Sequence, residues 1–299
     1  MHWWEPLKII PEFYESEVFE AYIAFHEGIR ELPNWCEPFF EYFPKDVRGR
    51  LLDIGCGDGV FLKHDKEVGF EVWGIDFDKK SVEIARKGVG ADTIFAMSLE
   101  EFYQFAKEKG LKFDVITFFE VLEHQDKPKD FLRMVKGLLK NGGYIAGSVP
   151  NRESFFLIEL HQKKYSWIDH PPNHFLRFSK ASLAKALKIN GFSDVEVYSF
   201  DFPFRDLFPY VEKRFLGNMD SFKTKLKALA LGDRRKALAY AVEDLPKVSQ
   251  RKGMALGLMV LKLIRNALLL PLAIPYIGKL KGNDIFIFFM AKKDESKKS

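Results

Sequence analysis

Cysteine is almost missing from this sequence: 299 residues hold two, Cys36 and Cys56. A single pair cannot build the disulfide framework of a small secreted domain, and a chain of this length can bury a core without one, so the expected compartment is reducing. The opening residues, Met1-His2-Trp3-Trp4-Glu5-Pro6, lack the basic start, apolar centre and small-residue cleavage site of a secretory leader. The expectation is a cytoplasmic protein. Long apolar runs are missing as well. The apolar stretch from Met254 to Leu280 is broken by Lys262, Arg265, Pro271 and Pro275, and its longest uncharged piece, about thirteen residues, falls short of the ~20 that a spanning helix needs. No internal repeat is visible.

Acidic charge is scarce in one part of the chain only. The formal net charge is +4, yet residues 211–282 hold 15 Lys/Arg against 5 Asp/Glu, a net +10, which leaves −6 for the remainder. A basic segment joined to an acidic body points to an anionic partner: a lipid headgroup, a phosphorylated substrate or nucleic acid.

From Arg50 to about Phe200, short β-rich runs alternate with helical stretches, the pattern of a parallel sheet covered by helices. The expected strands are Leu51–Ile54, Glu71–Ile75, Thr93–Ala96, Phe113–Phe118, Gly143–Ser148 and Asp194–Ser199. Helices are expected near Val60–Val68, Lys79–Lys87, Leu99–Lys109, Lys129–Leu139 and Lys180–Ile189, with Gly69, Gly110 and Gly191 as stop signals. A last apolar run, Asp284–Ala291, reads as a final edge strand. The expected organisation is an N-terminal helical cap over 1–49, a core over 50–202 with 283–293, and a basic, apolar helical insertion over 203–282.

The chemistry-bearing motif is Leu51-Leu52-Asp53-Ile54-Gly55-Cys56-Gly57-Asp58-Gly59, an apolar strand running into a turn with glycine at every second position, followed by a helix. Glycines let the backbone turn sharply and come close to a ligand, and the helix N-terminus adds N–H groups and positive potential. A nicotinamide-binding turn would have the spacing Gly-x-Gly-x-x-Gly, but here the third glycine comes one residue early. The second strand ends in Asp76, a carboxylate at the tip of the neighbouring strand that can accept both hydroxyls of a ribose.

With Asp53, Gly55, Gly57 and Gly59 in place, the turn resembles the first motif of class I S-adenosylmethionine-dependent methyltransferases. The resemblance implies a Rossmann-like α/β fold: a seven-stranded, mostly parallel sheet whose last strand is antiparallel, with N-terminal helices and a helical insertion before that strand. It also implies that Asp53 holds the ammonium of the cofactor's methionine and Asp76 its ribose. Cys56 and Phe77 would line the same site. Ser98 and Leu99 would enclose the adenine, and Phe119 would lie against the cofactor at the end of the fourth strand. A nicotinamide-dependent oxidoreductase, a bare structural turn and a non-catalytic cofactor-binding module are the competing readings.

After the fourth strand comes Glu120-Val121-Leu122-Glu123-His124. With Leu138-Leu139-Lys140-Asn141-Gly142-Gly143, Ser148-Val149-Pro150-Asn151 and Asn173-His174-Phe175 downstream, it resembles the subgroup of ubiquinone-biosynthesis O-methyltransferases over residues 48–200. On a helical turn, Glu120, Glu123 and His124 at i, i+3 and i+4 would share one face. Two carboxylates and an imidazole make a candidate Mg²⁺ or Zn²⁺ site that would orient acceptor oxygens and lower a hydroxyl's pKa, and a resemblance to small-RNA 2′-O-methyltransferases, which carry a further histidine downstream of the same run, implies His174 as an added ligand. The bland alternative is that the glutamates cap the helix and the histidine packs against the cofactor.

Methyl transfer requires alignment, exclusion of water and removal of a proton. His174 is the first candidate for base or metal ligand, His170 the second, and His124 the third. The sequence Phe118-Phe119-Glu120 stands where enzymes acting on exocyclic nucleobase amines carry Asn/Asp-Pro-Pro-aromatic, which disfavours that reaction. The resemblance favours an oxygen acceptor on a small-molecule or lipid-like substrate, with RNA 2′-O-methylation as the alternative. The basic insertion reads as a lid or arm docking on an anionic membrane, which would make the protein peripheral there, or as a cap or dimer element. Oligomeric state is left open.

Overall fold

In the computed structural model, residues 32–160, 174–216 and 252–294 are described. Contacts divide the chain into two compact units, Met1–Phe200 with Ile285–Ser299, and Asp201–Asp284. Residues 1–31 of the expected N-terminal helices lie outside the described residues. The first described helix is short, α1 (Glu37–Tyr42), entered through Pro38 in its first turn, where a missing N–H costs nothing.

The first unit is a seven-stranded sheet of order β3-β2-β1-β4-β5-β7-β6. Its strands are β1 (Arg50–Ile54), β2 (Glu71–Asp76), β3 (Ile94–Ala96), β4 (Phe113–Phe119), β5 (Leu139–Pro150), β6 (Phe192–Ser199) and β7 (Phe286–Lys293). β1 to β5 pair in parallel, while β7 runs antiparallel to both β5 and β6. Between the strands lie α2 (Val60–Glu67), α3 (Lys79–Val89), α4 (Leu99–Glu108), α5 (Pro128–Leu138), α6 (Phe155–Leu160) and α7 (Lys180–Ile189). This is the Rossmann-like class expected from the sequence. Each of the expected strands and helices of the core is present with its ends shifted by a few residues, but the last strand is not the edge expected of Asp284–Ala291: β7 inserts between β5 and β6, and β6 is the edge strand on that side.

Alternation along the strands divides the core between two faces. Leu51, Val72, Val115, Ala146 and Phe288 point to one side and pack with Phe39, Phe43, Phe61 and Leu62. Leu52, Ile116, Ile145, Ile287 and Phe289 point to the other and meet Phe102, Leu132, Val135 and Leu183. Because both faces are covered, the strands read as nearly continuous apolar runs. A polar residue inside such a run therefore stands out, and Asp53, Thr117 and Ser148 are all buried there. Gly69, Gly110 and Gly191 take φ of 101°, 61° and 86°, as residues ending a helix in the left-handed region do.

β1 pairs β2 on one side and β4 on the other, so the strand order reverses between β1 and β4. In open α/β sheets the crevice beyond the carboxyl ends of the strands at such a reversal is where ligands bind.

The second unit contains α8 (Phe204–Leu216) and α9 (Lys252–Ile277). α8 buries Leu207, Phe208, Tyr210 and Val211, and α9 buries Leu269 and Ala273. Tyr210 meets Tyr276 edge-on at 5.3 Å, and Arg265 Nη1 lies 3.4 Å from Glu212 Oε2. α9 runs through Pro271 and Pro275, which in the sequence read as breaks.

Candidate functional site

The turn after β1 is built on three left-handed glycines, Gly55, Gly57 and Gly59, with φ of 78°, 52° and 78°. Gly55 N and Cys56 N both donate to Ile75 O, at 2.8 and 3.1 Å, fastening the turn to the end of β2. A Cβ on Gly55 would lie 2.7 Å from Val121 Cγ2, and one on Gly59 only 2.8 Å from Ala85 Cβ and 3.1 Å from Ala85 Cα. Gly59 therefore serves the close approach of α2 to α3 as well as the turn. Cys56 is buried, and burial, followed by the carboxylates of Asp76 and Asp53, pushes its thiol well above the ordinary range. It is an inert thiol, and what it offers the site is backbone.

Two carboxyls flank the turn. Asp53 is buried and sits in register with Thr117 of β4, whose Oγ1 donates to Asp53 Oδ1 at 2.7 Å. Burial pushes Asp53 up to about 8 despite that bond, with the nearby Asp76 adding to the rise. Asp76 ends β2 and accepts from Gly57 N through Oδ2 and from Asp78 N through Oδ1, both at 2.9 Å. Burial lifts it to about 6 against these donors. Each carboxylate oxygen keeps a further lone pair for a ligand hydroxyl.

The neighbouring candidates divide between exposure and packing. Phe77, next to Asp76, is 42% exposed. Ser98 caps α4 in a reciprocal box: its Oγ accepts from Glu101 N at 3.2 Å, and Glu101 Oε2 accepts from Ser98 N at 2.8 Å. Leu99 packs in the core and Phe119 meets Phe61 edge-on at 4.6 Å.

Beyond β4 the structure departs from the expected helical face. Glu120 has φ 53°, one of two positive-φ residues other than glycine among those described. Such a conformation costs roughly 1–3 kcal/mol and persists only where the surroundings impose it. Here β5 imposes it: Glu120 N donates to Ser148 O at 2.9 Å, and Ser148 Oγ donates to Glu120 Oε1 at 2.8 Å. Burial raises the Glu120 carboxyl to about 7, with the serine bond working against the rise. The only helical piece that comes next in this segment is a 3₁₀ turn over Leu122–His124, so the i, i+3, i+4 phase is lost and Glu120 does not join the other two.

The residues that do come together are Glu123, His124 and His174, whose ligand atoms all lie within 4.8 Å of one another. Glu123 is buried, with Oε1 3.8 Å from His124 Nε2, and the two imidazole rings meet edge-on at 4.8 Å. His174 is delivered by backbone: the Glu123 carbonyl accepts from Phe175 N at 2.8 Å and from Leu176 N at 3.1 Å. His170 lies outside the described residues. Sequence reasoning missed Thr117 and Ser148, which the register turns into partners of Asp53 and Glu120. Their signal was present, a hydroxyl inside each of two apolar strand runs.

Comparison with known proteins adds to the geometry. A family model described as a methyltransferase domain matches residues 25–197. The chain belongs to this methyltransferase family. Among curated relatives, the ubiquinone biosynthesis O-methyltransferase of Bordetella avium is 36% identical over 108 residues, 34% of this chain and 43% of that one. The mitochondrial ubiquinone biosynthesis O-methyltransferase of Schizosaccharomyces pombe is 32% identical over 105 residues, 34% of this chain and 38% of that one. The match thus spans less than half of either relative. Among solved structures, a SAM-dependent methyltransferase from Archaeoglobus fulgidus superposes with a TM-score of 0.53 at 21% identity, covering 91% of this chain and 99% of that one. At that identity the likeness is one of fold.

Proposed function

We propose that the chain transfers a methyl group from S-adenosylmethionine to an oxygen nucleophile on a small-molecule or lipid-like acceptor. The observation that carries this reading is the pair of carboxyls bracketing the three-glycine turn, Asp53 held by Thr117 and Asp76 held by Gly57 N and Asp78 N. Such a cradle fits the cofactor. A buried carboxyl whose pKa has been pushed up gains most from a cation brought against it, as the methionyl ammonium would be. Asp76, at the tip of the next strand, would accept the two ribose hydroxyls. When bound, S-adenosylmethionine supplies an electrophilic methyl on its sulfonium.

The chain's own residues would then align the acceptor and accept its proton. Among the described residues, His124, beyond β4, and His174, beside it, are the imidazoles gathered with a carboxylate, and Glu123, in contact with His124, would stabilise the charge that proton gain creates. The same three residues would hold Mg²⁺ or Zn²⁺, a reading favoured by ligand atoms already gathered within 4.8 Å. The relatives' names, O-methyltransferases of ubiquinone biosynthesis, support oxygen as the acceptor atom.

The test is calorimetric titration of the full chain with S-adenosylhomocysteine and with NADH, then transfer of labelled methyl to a panel of phenols, lipids and RNA. Tight binding of the first ligand alone, with label on a phenolic or lipid hydroxyl, is expected. Preference for NADH ends the reading, and label on RNA replaces the acceptor.

A further inference from the structure

One side of α9 is apolar and exposed, and among the described residues of its own unit nothing covers it. Leu269 and Ala273 are buried in the second unit, and Tyr276 meets Tyr210. Leu263, Ile264, Leu268, Leu270, Ile274 and Ile277 are 43–74% exposed. At 3.6 residues per turn these six fall within one half of the helix circumference, the half opposite Leu269 and Ala273. Arg265, the one charged residue between 263 and 277, lies outside that half and reaches Glu212 at 3.4 Å. Single exposed leucines are ordinary, but a contiguous strip of large aliphatic side chains over four turns is the mark of an interaction surface.

Charge decides what that surface fits. The sequence from 245 to 283 holds seven Lys/Arg and no Asp/Glu. A second copy of the chain would set this basic segment against itself, so self-association on the strip is opposed by repulsion. Nucleic acid would answer the charge and leave the leucines and isoleucines in water. A bilayer with anionic headgroups answers both at once, taking aliphatic side chains into the headgroup and acyl boundary and pairing lysines with phosphates. Among the described residues no helix is long and apolar enough to cross a membrane. The fit is to a helix lying in the interface.

We propose that the exposed face of α9, centred on Leu268, docks the protein on an anionic lipid surface. This rests on the second unit alone and stands whether or not the methyl acceptor is the one proposed above.

The experiment is flotation of the full chain with vesicles of phosphatidylcholine, with and without phosphatidylglycerol, at low and high salt. Binding to the anionic vesicles that weakens as salt rises, with little binding to neutral ones, is expected. The double variant Leu268→Glu/Ile274→Glu should bind at least tenfold more weakly, because each replaced side chain gives up apolar burial worth about a factor of ten or more. Both positions are exposed, and an unchanged S-adenosylhomocysteine affinity and melting curve would show that the variant is folded. A positive readout comes from Leu268→Trp, whose emission should shift to the blue, and be quenched by brominated lipid, with anionic vesicles. No binding at low salt, equal binding to neutral vesicles, full binding by the double variant, or a concentration-dependent dimer abolished by the same substitutions would each overturn the proposal.

Discussion

Replacing Asp53 by asparagine separates its shape from its charge, because the amide can still meet Thr117 Oγ1 but cannot ionise. In the free protein, burial pushes the Asp53 carboxyl up to about 8. At pH 7 the group is then mostly protonated, and a ligand whose ammonium needs the carboxylate must expel that proton. One pKa unit corresponds to 1.36 kcal/mol, so the cost to binding is about 1.4 kcal/mol at pH 7 and about 2.7 kcal/mol at pH 6, near zero only above pH 8. The affinity for S-adenosylhomocysteine should therefore rise roughly tenfold between pH 6 and pH 7 and begin to level off towards pH 8. Below pH 6, Asp76, lifted to about 6, adds a second proton to the same balance and steepens the slope.

Titration calorimetry from pH 5.5 to 7.5, in buffers of different ionisation enthalpy, reads affinity and proton count together. The wild-type chain should release close to one proton per ligand near pH 6.5. Asp53→Asn should release none from this position, bind about as weakly at pH 7.5 as at pH 6.5, and converge with wild type at the acid end. A flat wild-type profile, or a variant that copies the wild-type slope, would refute the assignment of Asp53 to the ligand's ammonium.

The same geometry has other measurable consequences. Asp53, Asp76 and Glu120 all have folded-state pKa values raised above those of the unfolded chain, so between about pH 4 and pH 8 the native state binds more protons and its stability falls as pH rises. Thermal melts should show this decline without ligand, with Asp53→Asn close to wild type near pH 4 and more stable by on the order of 5 kcal/mol at pH 8. Gly59→Ala, forced into φ 78° with its Cβ against Ala85, should cost roughly 1–3 kcal/mol in urea unfolding, and an unchanged midpoint would contradict the packing role given to Gly59. If Glu123, His124 and His174 hold a metal, strong chelator should abolish methyl transfer and added Mg²⁺ or Zn²⁺ restore it, whereas activity that survives chelation leaves His174 as base. In that case His174→Ala should lower kcat by roughly 10²–10⁴ while leaving S-adenosylhomocysteine affinity intact.

The half of the site proposed for the cofactor was legible because its parts are local or related by one crossover. The turn from Asp53 to Gly59 is contiguous, and Asp76 falls beside it because a strand, helix and parallel strand place the two strand ends together. The half proposed for the acceptor was legible only as a set of residue types. Spacing puts Glu120, Glu123 and His124 on one face only if the backbone is helical. Instead, the pairing of Phe119 with Ser148 in the β4–β5 ladder draws Glu120 into a left-handed conformation, a consequence of contacts 28 residues away. His174 reaches its place through the Glu123 carbonyl, which no pattern of side chains could announce. The prolines of α9 misled for a related reason. A proline removes one bond from a helical ladder, a cost that interrupts an isolated helix but is borne when the opposite side is packed, and Pro271 and Pro275 lie opposite Leu269 and Ala273. In each case a residue's own preference yields to partners distant in sequence. Glu120, the residue most strained by that competition, stands where β4 turns towards Glu123, His124 and His174, and a strained conformation imposed by the sheet is a means of fixing such a turn in one geometry.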